Sequence, residues 1–514
     1  MKFLPFVLTL VSGASIDLWP LPKSVKMGSD DLNVSKIDIG TCGDEGGRMA
    51  RAIDRFGSLI IGDGATDGAD ITLTCESVST AIGVATDESY SITGTSSSVS
   101  VTSKTIYGQM YALETLSQLV TTPGTITGGS GLSISDSPSY PHRALMIDTG
   151  RRFVPLPTIK QNIDAMAANK LNVLHLHFAD WCRFAIESDV FPELTEGLTG
   201  EQGGFYTKDE VREMISYAND RGVRLLPEID LPSHSGWGFP LRDNGKILYC
   251  DDVGSGPGMR NDEDNTTLST LNAVIKEMSD LFDDSELFHI GADETSSGNQ
   301  TGCGLEDISS LENGVLRNIV DLGKIPVGWA EVLFTSKGAV GLEGKAVINS
   351  WQSTGARPKD IEAAGFDAVE SDSTHYYLDT HISYDDLWHN IGDDDDTSQS
   401  KKLLGGEVSM WTDAYCYIGQ CGALDLPVPV GAALYPPEMN EEFGASFNGM
   451  VWPGAAVAAG SFWNYDTTIT SDQVKTSIDN GVLGRMQTRG MDACPVGCTC
   501  DEVSRCGKNY IASE

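Results

Sequence analysis

Residues 207–230 read TKDEVREMISYANDRGVRLLPEID. Lys208, Asp209 and Glu210 open a helix, with two carboxylates in its first turn, and Gly222 ends it. A mostly apolar run then follows at 224–229 and closes on Asp230, as a buried strand leading into a polar loop would. The same alternation extends to either side. Strands are expected at 144–148, 172–178, 224–229, 287–291, 326–329, 346–350, 367–370 and 407–410, separated by polar, helix-periodic stretches. Eight such strands within about 270 residues predict an α/β fold, a (β/α)8 TIM-type barrel rather than an open sheet.

Upstream the texture differs. Residues 16–139 are rich in Ser, Thr and Gly, with strand-like stretches at 89–92 and 99–101 and an amphipathic helix at 107–120. The connector GSGLSISDSPSYP (129–141) marks a boundary. The expected organisation is a small α+β domain at 16–139, the barrel at 140–488 and a Cys-rich tail at 489–514. Residues 1–15, MKFLPFVLTLVSGAS, have the layout of a secretory signal peptide, with cleavage near Ala14 or Ser15.

The 514 residues carry 73 acidic and 35 basic side chains, a net charge of −38, with 40% hydrophobic residues. That balance excludes disorder throughout, and it argues against nucleic acid or an anionic membrane as partner, because both need clustered Lys and Arg. No segment approaches the ~20 continuous apolar residues of a membrane span. Eleven cysteines, four of them at 494, 498, 500 and 506, fit disulfides in an oxidising compartment, extracellular or lysosomal/vacuolar. Their connectivity stays open, and the odd count leaves one thiol, assigned to Cys182. Sequons stand at Asn33, Asn265 and Asn299. The acidic run Asp393–Asp396 reads as a solvated loop, with a calcium site as the other reading.

Polar and aromatic residues gather after the strands. Asp148 closes the first; His177 and Asp180 end the second; Asp230 and His234 follow the third; Asp293 and Glu294 follow the fourth. Trp329, Trp351, Tyr377 and Trp411 lie at or beyond the last four. A barrel builds its active site at the carboxyl ends of its strands. Aromatic faces there suit the apolar faces of a sugar ring, and carboxylates, Arg and His suit its hydroxyls. Two other readings use the same residues: a metal-dependent hydrolase on His175, His177, His234, His289 and Asp293, and a non-catalytic sugar-binding protein. Asp148-Thr149-Gly150 copies an aspartic-protease triplet, but no second one accompanies it.

The motifs HRALMIDTGRRF, NVLHLHFAD, PEIDLPSHSGWG, FHIGADE, GWAEV, NSWQ, YYLD and GGEVSMW occur in an order that resembles the family 20 β-N-acetylhexosaminidases, from Arg143 to about Trp463. The resemblance implies a retaining exo-hydrolase acting on glycans with terminal N-acetylhexosamine, in which the substrate's own acetamido oxygen is the nucleophile. By position, Glu294 resembles the general acid and base, with its pKa raised by the aromatic pocket and by Asp293. Asp293 orients the acetamido N–H and Tyr377 donates to its oxygen. Trp329, Trp351 and Trp411 wall the pocket, and Arg143, Asp180, His234, Asp379 and Asp413 contact substrate. His177, Asp230 and His289 steer the acid from behind. No cofactor or metal enters that scheme, and a homodimer is compatible with it. Two departures stand out. Ala292 replaces the usual second Gly before Asp-Glu, a mild change if that backbone needs no positive φ. Asp413 replaces a Glu, which bears on gluco against galacto preference.

Overall fold

The computed structural model describes residues 18–493 except 43–44, 63–66, 78, 80, 182, 197, 199–203, 251–255, 297–302, 353–355, 381–382, 413–446 and 492. The expected signal peptide, Cys182, Asn299, Asp413 and the four tail cysteines lie outside the described residues. Eight parallel strands close into a barrel: His142–Asp148, Val173–Ala179, Arg224–Leu231, Leu287–Gly291, Ile325–Trp329, Val347–Ser350, Asp367–Glu370 and Leu403–Met410. The eighth pairs with the first, Gly405 against His142 and Met410 against Ile147.

Each expected strand is present. The eighth begins four residues before the expected 407, because Gly405 and Gly406 belong to the strand rather than to a turn. A Cβ on Gly405 would lie 1.7 Å from the His142 carbonyl oxygen, so closure of the barrel depends on a residue without a side chain.

Strand periodicity builds the interior in layers. Ala144, Val173, Leu226, Leu287, Val327, Val347 and Val369 fill the amino end. Two residues further along, on the same face, come His175, Glu228, His289, Trp329 and Asn349. His175 is held between Glu228 Oε2 at 2.9 Å and Glu407 Oε2 at 3.0 Å. Trp329 Nε1 donates to Glu228 Oε1 at 3.0 Å, and Asn349 Nδ2 to Glu407 Oε1 at 3.2 Å. Ion pairs and hydrogen bonds tie this polar layer together, and it forms the floor of what lies above.

The outer strand faces carry Leu145, Ile147, Leu174, Leu176, Phe288 and Ile290 into one core with the surrounding helices. Each such side chain contributes roughly 1.5–3 kcal/mol on burial. The helix Lys208–Asn219 starts as its sequence dictates. Thr207 Oγ1 accepts from the Glu210 N–H, while the Glu210 carboxylate accepts from the Thr207 N–H at 2.8 Å.

Before the barrel, eight strands form a mixed sheet in the order Ser24–Lys26, Ser133–Asp136, Tyr90–Gly94, Ser98–Ser103, Ala69–Cys75, Asp30–Ile39, Thr125–Ser130, Val120–Thr122. Helices Arg48–Ile60 and Ile106–Gln118 pack on it. A disulfide joins Cys42 to Cys75 in this domain, and another joins Cys250 to Cys303 in the barrel loops.

Buried charge fastens the sheet to the barrel. Arg143 forks onto Glu88 at 2.8 and 3.0 Å, and Lys170 reaches Asp136 at 3.1 Å with its Nζ 4.4 Å from the Trp463 ring. Removing one partner of such a pair costs about 3–5 kcal/mol, since the other charge stays buried. Among the described residues no helix is long and apolar enough to cross a membrane.

Candidate active site

A cavity of about 180 Å³ opens at the carboxyl ends of the strands. Trp329, Trp351, Tyr377 and Trp411 form its wall, and Asp293, Glu294, His234, Asp379 and Arg151 supply its polar groups. The Trp351 and Tyr377 rings lie nearly parallel, 13° apart with centroids separated by 6.4 Å. Glu331, buried behind them, accepts from Trp351 Nε1 at 2.9 Å and from Gln352 Nε2 at 3.0 Å, and so fixes one face of the wall. Burial and the Asp293 charge push its carboxyl up to about 7. Burial also raises the Tyr377 phenol well above its ordinary value, so its hydroxyl remains a donor.

The acidic pair follows a strained turn. Gly291, Ala292 and Glu294 have φ of 69°, 68° and 50°. Asp230 reaches from the neighbouring strand to accept the Ala292 N–H at 3.2 Å, and a Cβ on Gly291 would lie 1.8 Å from that Asp230 oxygen. Gly291 is therefore required. Ala292 does need a positive φ, contrary to the mild reading of its departure; the left-handed conformation costs an L-residue about 1–2 kcal/mol. The turn aims the two neighbours differently. Glu294 is half-exposed at the mouth, while Asp293 Oδ1 is buried and accepts no hydrogen bond from any described residue.

Behind the pair runs a chain of charges. His234 Nε2 lies 3.1 Å from Glu294 Oε2 and 3.7 Å from Asp293 Oδ2. Burial opposes a charge on His234, but Asp180, Asp293 and the bond to Glu294 outweigh it and push its pKa up to about 10. Arg151 ion-pairs with Asp180 Oδ2 at 3.0 Å and donates to Asp148 Oδ2 at 3.1 Å, with its guanidinium 5.0 Å over the Trp411 ring. His177 sits between Asp148 Oδ1 at 3.2 Å and Asp230 Oδ2 at 3.4 Å.

The hydrogen bond from His234 holds the Glu294 carboxyl below its ordinary value, with burial acting against it. This corrects the expectation of a raised pKa. Half-exposure weakens desolvation, and the hydrogen bond from the adjacent imidazole outweighs it.

Of the expected site residues, the cavity gathers Glu294, Asp293, Tyr377, Trp329, Trp351, Trp411, Asp379 and His234. Asp180 is fully buried behind Arg151, and His289 lies one layer lower, 2.9 Å from Glu228 Oε1. His177 and Asp230 stand behind the acidic turn. Arg143 does not reach the cavity. It occupies the amino end of the first strand, while the cavity lies at the other end. Arg151, three residues beyond that strand, takes the place expected for it. His175 and His177 share a strand face but serve different layers, each gripped by carboxylates; these ion pairs account for the histidines of the metal reading.

Residues 140–417 match the model of the glycosyl hydrolase family 20 catalytic domain. The β-hexosaminidase subunit beta of Homo sapiens is 31% identical over 77% of this chain and 78% of its own length, and that of Mus musculus is 30% identical over 79% and 83%. The fold is shared with the family 20 β-N-acetylhexosaminidase of Streptomyces coelicolor, with a TM-score of 0.70 at 22% identity, covering 94% of this chain and 98% of that one. A β-N-acetylhexosaminidase from Bacteroides fragilis has a TM-score of 0.73 at 19% identity, over 96% and 99%. With a catalytic-domain match over more than half its length and an acidic turn inside an aromatic cavity, the chain belongs to glycosyl hydrolase family 20, the β-N-acetylhexosaminidase family, and is a glycoside hydrolase.

Proposed function

We propose that this family 20 exo-β-N-acetylhexosaminidase removes terminal, β-linked N-acetylglucosamine or N-acetylgalactosamine with retention of configuration, using the substrate's acetamido group as nucleophile. The observation that carries this reading is Asp293 Oδ1: a buried carboxylate oxygen in an aromatic cavity, accepting from no described residue, is matched by an amide N–H. With the N–H held there and the Tyr377 hydroxyl donating to the acetamido oxygen, that oxygen is aimed at the anomeric carbon. It attacks as the bond from that carbon to the leaving oxygen breaks, and Glu294 protonates the leaving oxygen. The product is an oxazolinium ion, whose positive charge faces Asp293. Water then attacks the anomeric carbon from the side of Glu294, which takes up its proton, while the bond from that carbon to the acetamido oxygen breaks and the acetamido group is restored.

The proton that Glu294 delivers is shared with His234. Before substrate binds, the raised proton affinity of His234 favours the imidazole. Substrate covering the half-exposed Glu294 strips water from the carboxylate, raises its proton affinity and draws the proton across the 3.1 Å contact. Arg151 and Asp379 contact the ring hydroxyls in this scheme, as does Asp413, outside the described residues.

Product stereochemistry tests the reading. Proton NMR during hydrolysis of an aryl β-N-acetylglucosaminide is expected to show the β-anomer first, and a thiazoline analogue of the oxazolinium ion is expected to inhibit tightly. First release of the α-anomer would refute retention, and weak thiazoline binding would refute the acetamido nucleophile. The secretory route, extracellular or lysosomal, is supported by the two disulfides. Assembly as a homodimer is the companion expectation, read by sedimentation equilibrium.

A further inference from the structure

Glu331 stands just beyond the fifth barrel strand, at the start of the short helix Glu331–Phe334, behind the aromatic wall rather than in it. Its main chain is fixed, since its carbonyl accepts from the Thr335 and Ser336 N–H groups at 2.9 and 3.0 Å. Its side chain is buried. Donors converge on that side chain from separate elements. Trp351 Nε1 and Gln352 Nε2, after the sixth strand, donate at 2.9 and 3.0 Å, each to a different oxygen. The backbone N–H of Glu294, in the acidic turn after the fourth strand, is directed at the same carboxylate, as is the N–H of Glu331 itself.

Four N–H donors thus meet one side chain. An ionised carboxylate has about four lone-pair sites and no proton to place, so it can satisfy all of them. A carboxamide of the same shape turns its NH2 group toward one of these donors and leaves that donor without an acceptor. The charge is costly here, because Asp293 faces Glu331 with the same sign. A neutral residue would avoid that repulsion, and packing alone gives no reason for a second carboxylate. What the carboxylate gains is a link. One group grips both the ring that walls the cavity and the peptide that aims Glu294.

We propose, resting on the acetamido mechanism above, that Glu331 is a positioning residue, holding the Trp351 ring and the Glu294 turn in one frame so that the acetamido group and the leaving oxygen are presented together. Glu331 touches no substrate in this role; it acts through Trp351 and Glu294.

A double-mutant cycle at pH 8, where Glu331 is mostly ionised, tests the link with an aryl β-N-acetylglucosaminide as substrate. Glu331→Gln is expected to lower kcat/KM about thirty-fold in the wild-type background and about three-fold in a Trp351→Phe background, where the indole donor is already gone. General destabilisation would lower both backgrounds alike, so equal factors would overturn the proposal. In the wild type, the Trp351 indole N–H resonance, assigned by its absence in Trp351→Phe, is expected far downfield and slow to exchange with solvent. A free-indole shift with rapid exchange would overturn the link without any Glu331 variant having to fold. Both measurements hold whichever nucleophile operates, and the product anomer and thiazoline inhibition test the nucleophile separately. Equal factors with those two results intact would remove Glu331 and leave the acetamido mechanism standing.

Discussion

His234 Nε2 lies 3.1 Å from Glu294 Oε2, and His234 in turn faces Asp180 and Arg151 rather than open solvent. Two groups this close titrate as a pair, so in the proposed mechanism the catalytic proton belongs to both. The first deprotonation falls below the ordinary carboxylate value, and the second is near the His234 value of about 10. Replacing His234 with Asn is expected to raise the Glu294 pKa seen directly by carboxyl ¹³C NMR. It is also expected to move the alkaline limb of kcat/KM down, since a lone carboxyl loses its proton earlier than the pair does. At neutral pH the loss should be about 10²–10³-fold. An alkaline limb unchanged in the variant would remove His234 from the proton path.

Glu294→Gln keeps the shape of the mouth and removes the transferable proton. Turnover of a glycoside with a poor leaving group, such as an N-acetylhexosamine disaccharide, is expected to fall by about 10²–10⁴. An aryl glycoside whose phenolate leaves without a proton should lose far less in its first step. Equal losses on the two substrates would mean that Glu294 is not the acid.

Ala292 pays for its left-handed backbone at 68°. Ala292→Gly relieves about 1–2 kcal/mol of conformational cost and gives back about 0.5–1 kcal/mol in backbone entropy. The expected outcome is a rise of about 0.5–1 kcal/mol in unfolding free energy, read from the urea midpoint, with kcat unchanged. A drop in stability would show that the Ala292 methyl, fully buried, contributes more by packing than its conformation costs.

The barrel strands and the aromatic wall were legible because each is written locally. Periodicity marks a strand, and a residue just past its end stands at the mouth. The misplaced arginine shows the rule's value when applied strictly: in HRALMIDTGRRF the strand runs from His142 to Asp148, so Arg151 rather than Arg143 emerges on the cavity side. Electrostatics was not legible. The imidazole that lowers Glu294 is 60 residues away, and Glu407, which grips His175, is 232 away. The positive φ at Ala292 was hidden for the same reason, because the oxygen that fixes that turn belongs to Asp230 on the adjacent strand.

His175 turns the interior layer into a measurable pH dependence. It is fully buried between Glu228 and Glu407; burial disfavours its charge, but the two carboxylates outweigh that and push its pKa up to about 9. In the unfolded chain it titrates near 6.5. Between these values the folded protein holds a proton that the unfolded chain has released, so stability falls as pH rises. The contribution, on the order of 3 kcal/mol, is complete below about pH 6.5 and lost above about 9. His234, raised to about 10, acts in the same direction. Urea midpoints taken across this window should decline for the wild type, and His175→Gln should flatten the slope while lowering stability throughout, because two carboxylates then share a buried layer without their cation. Where that variant does not fold, the imidazole resonance of His175 in the wild type gives the same answer. Titration near 6.5, or a slope unaltered by the substitution, would mean that this layer is not held together by a protonated histidine.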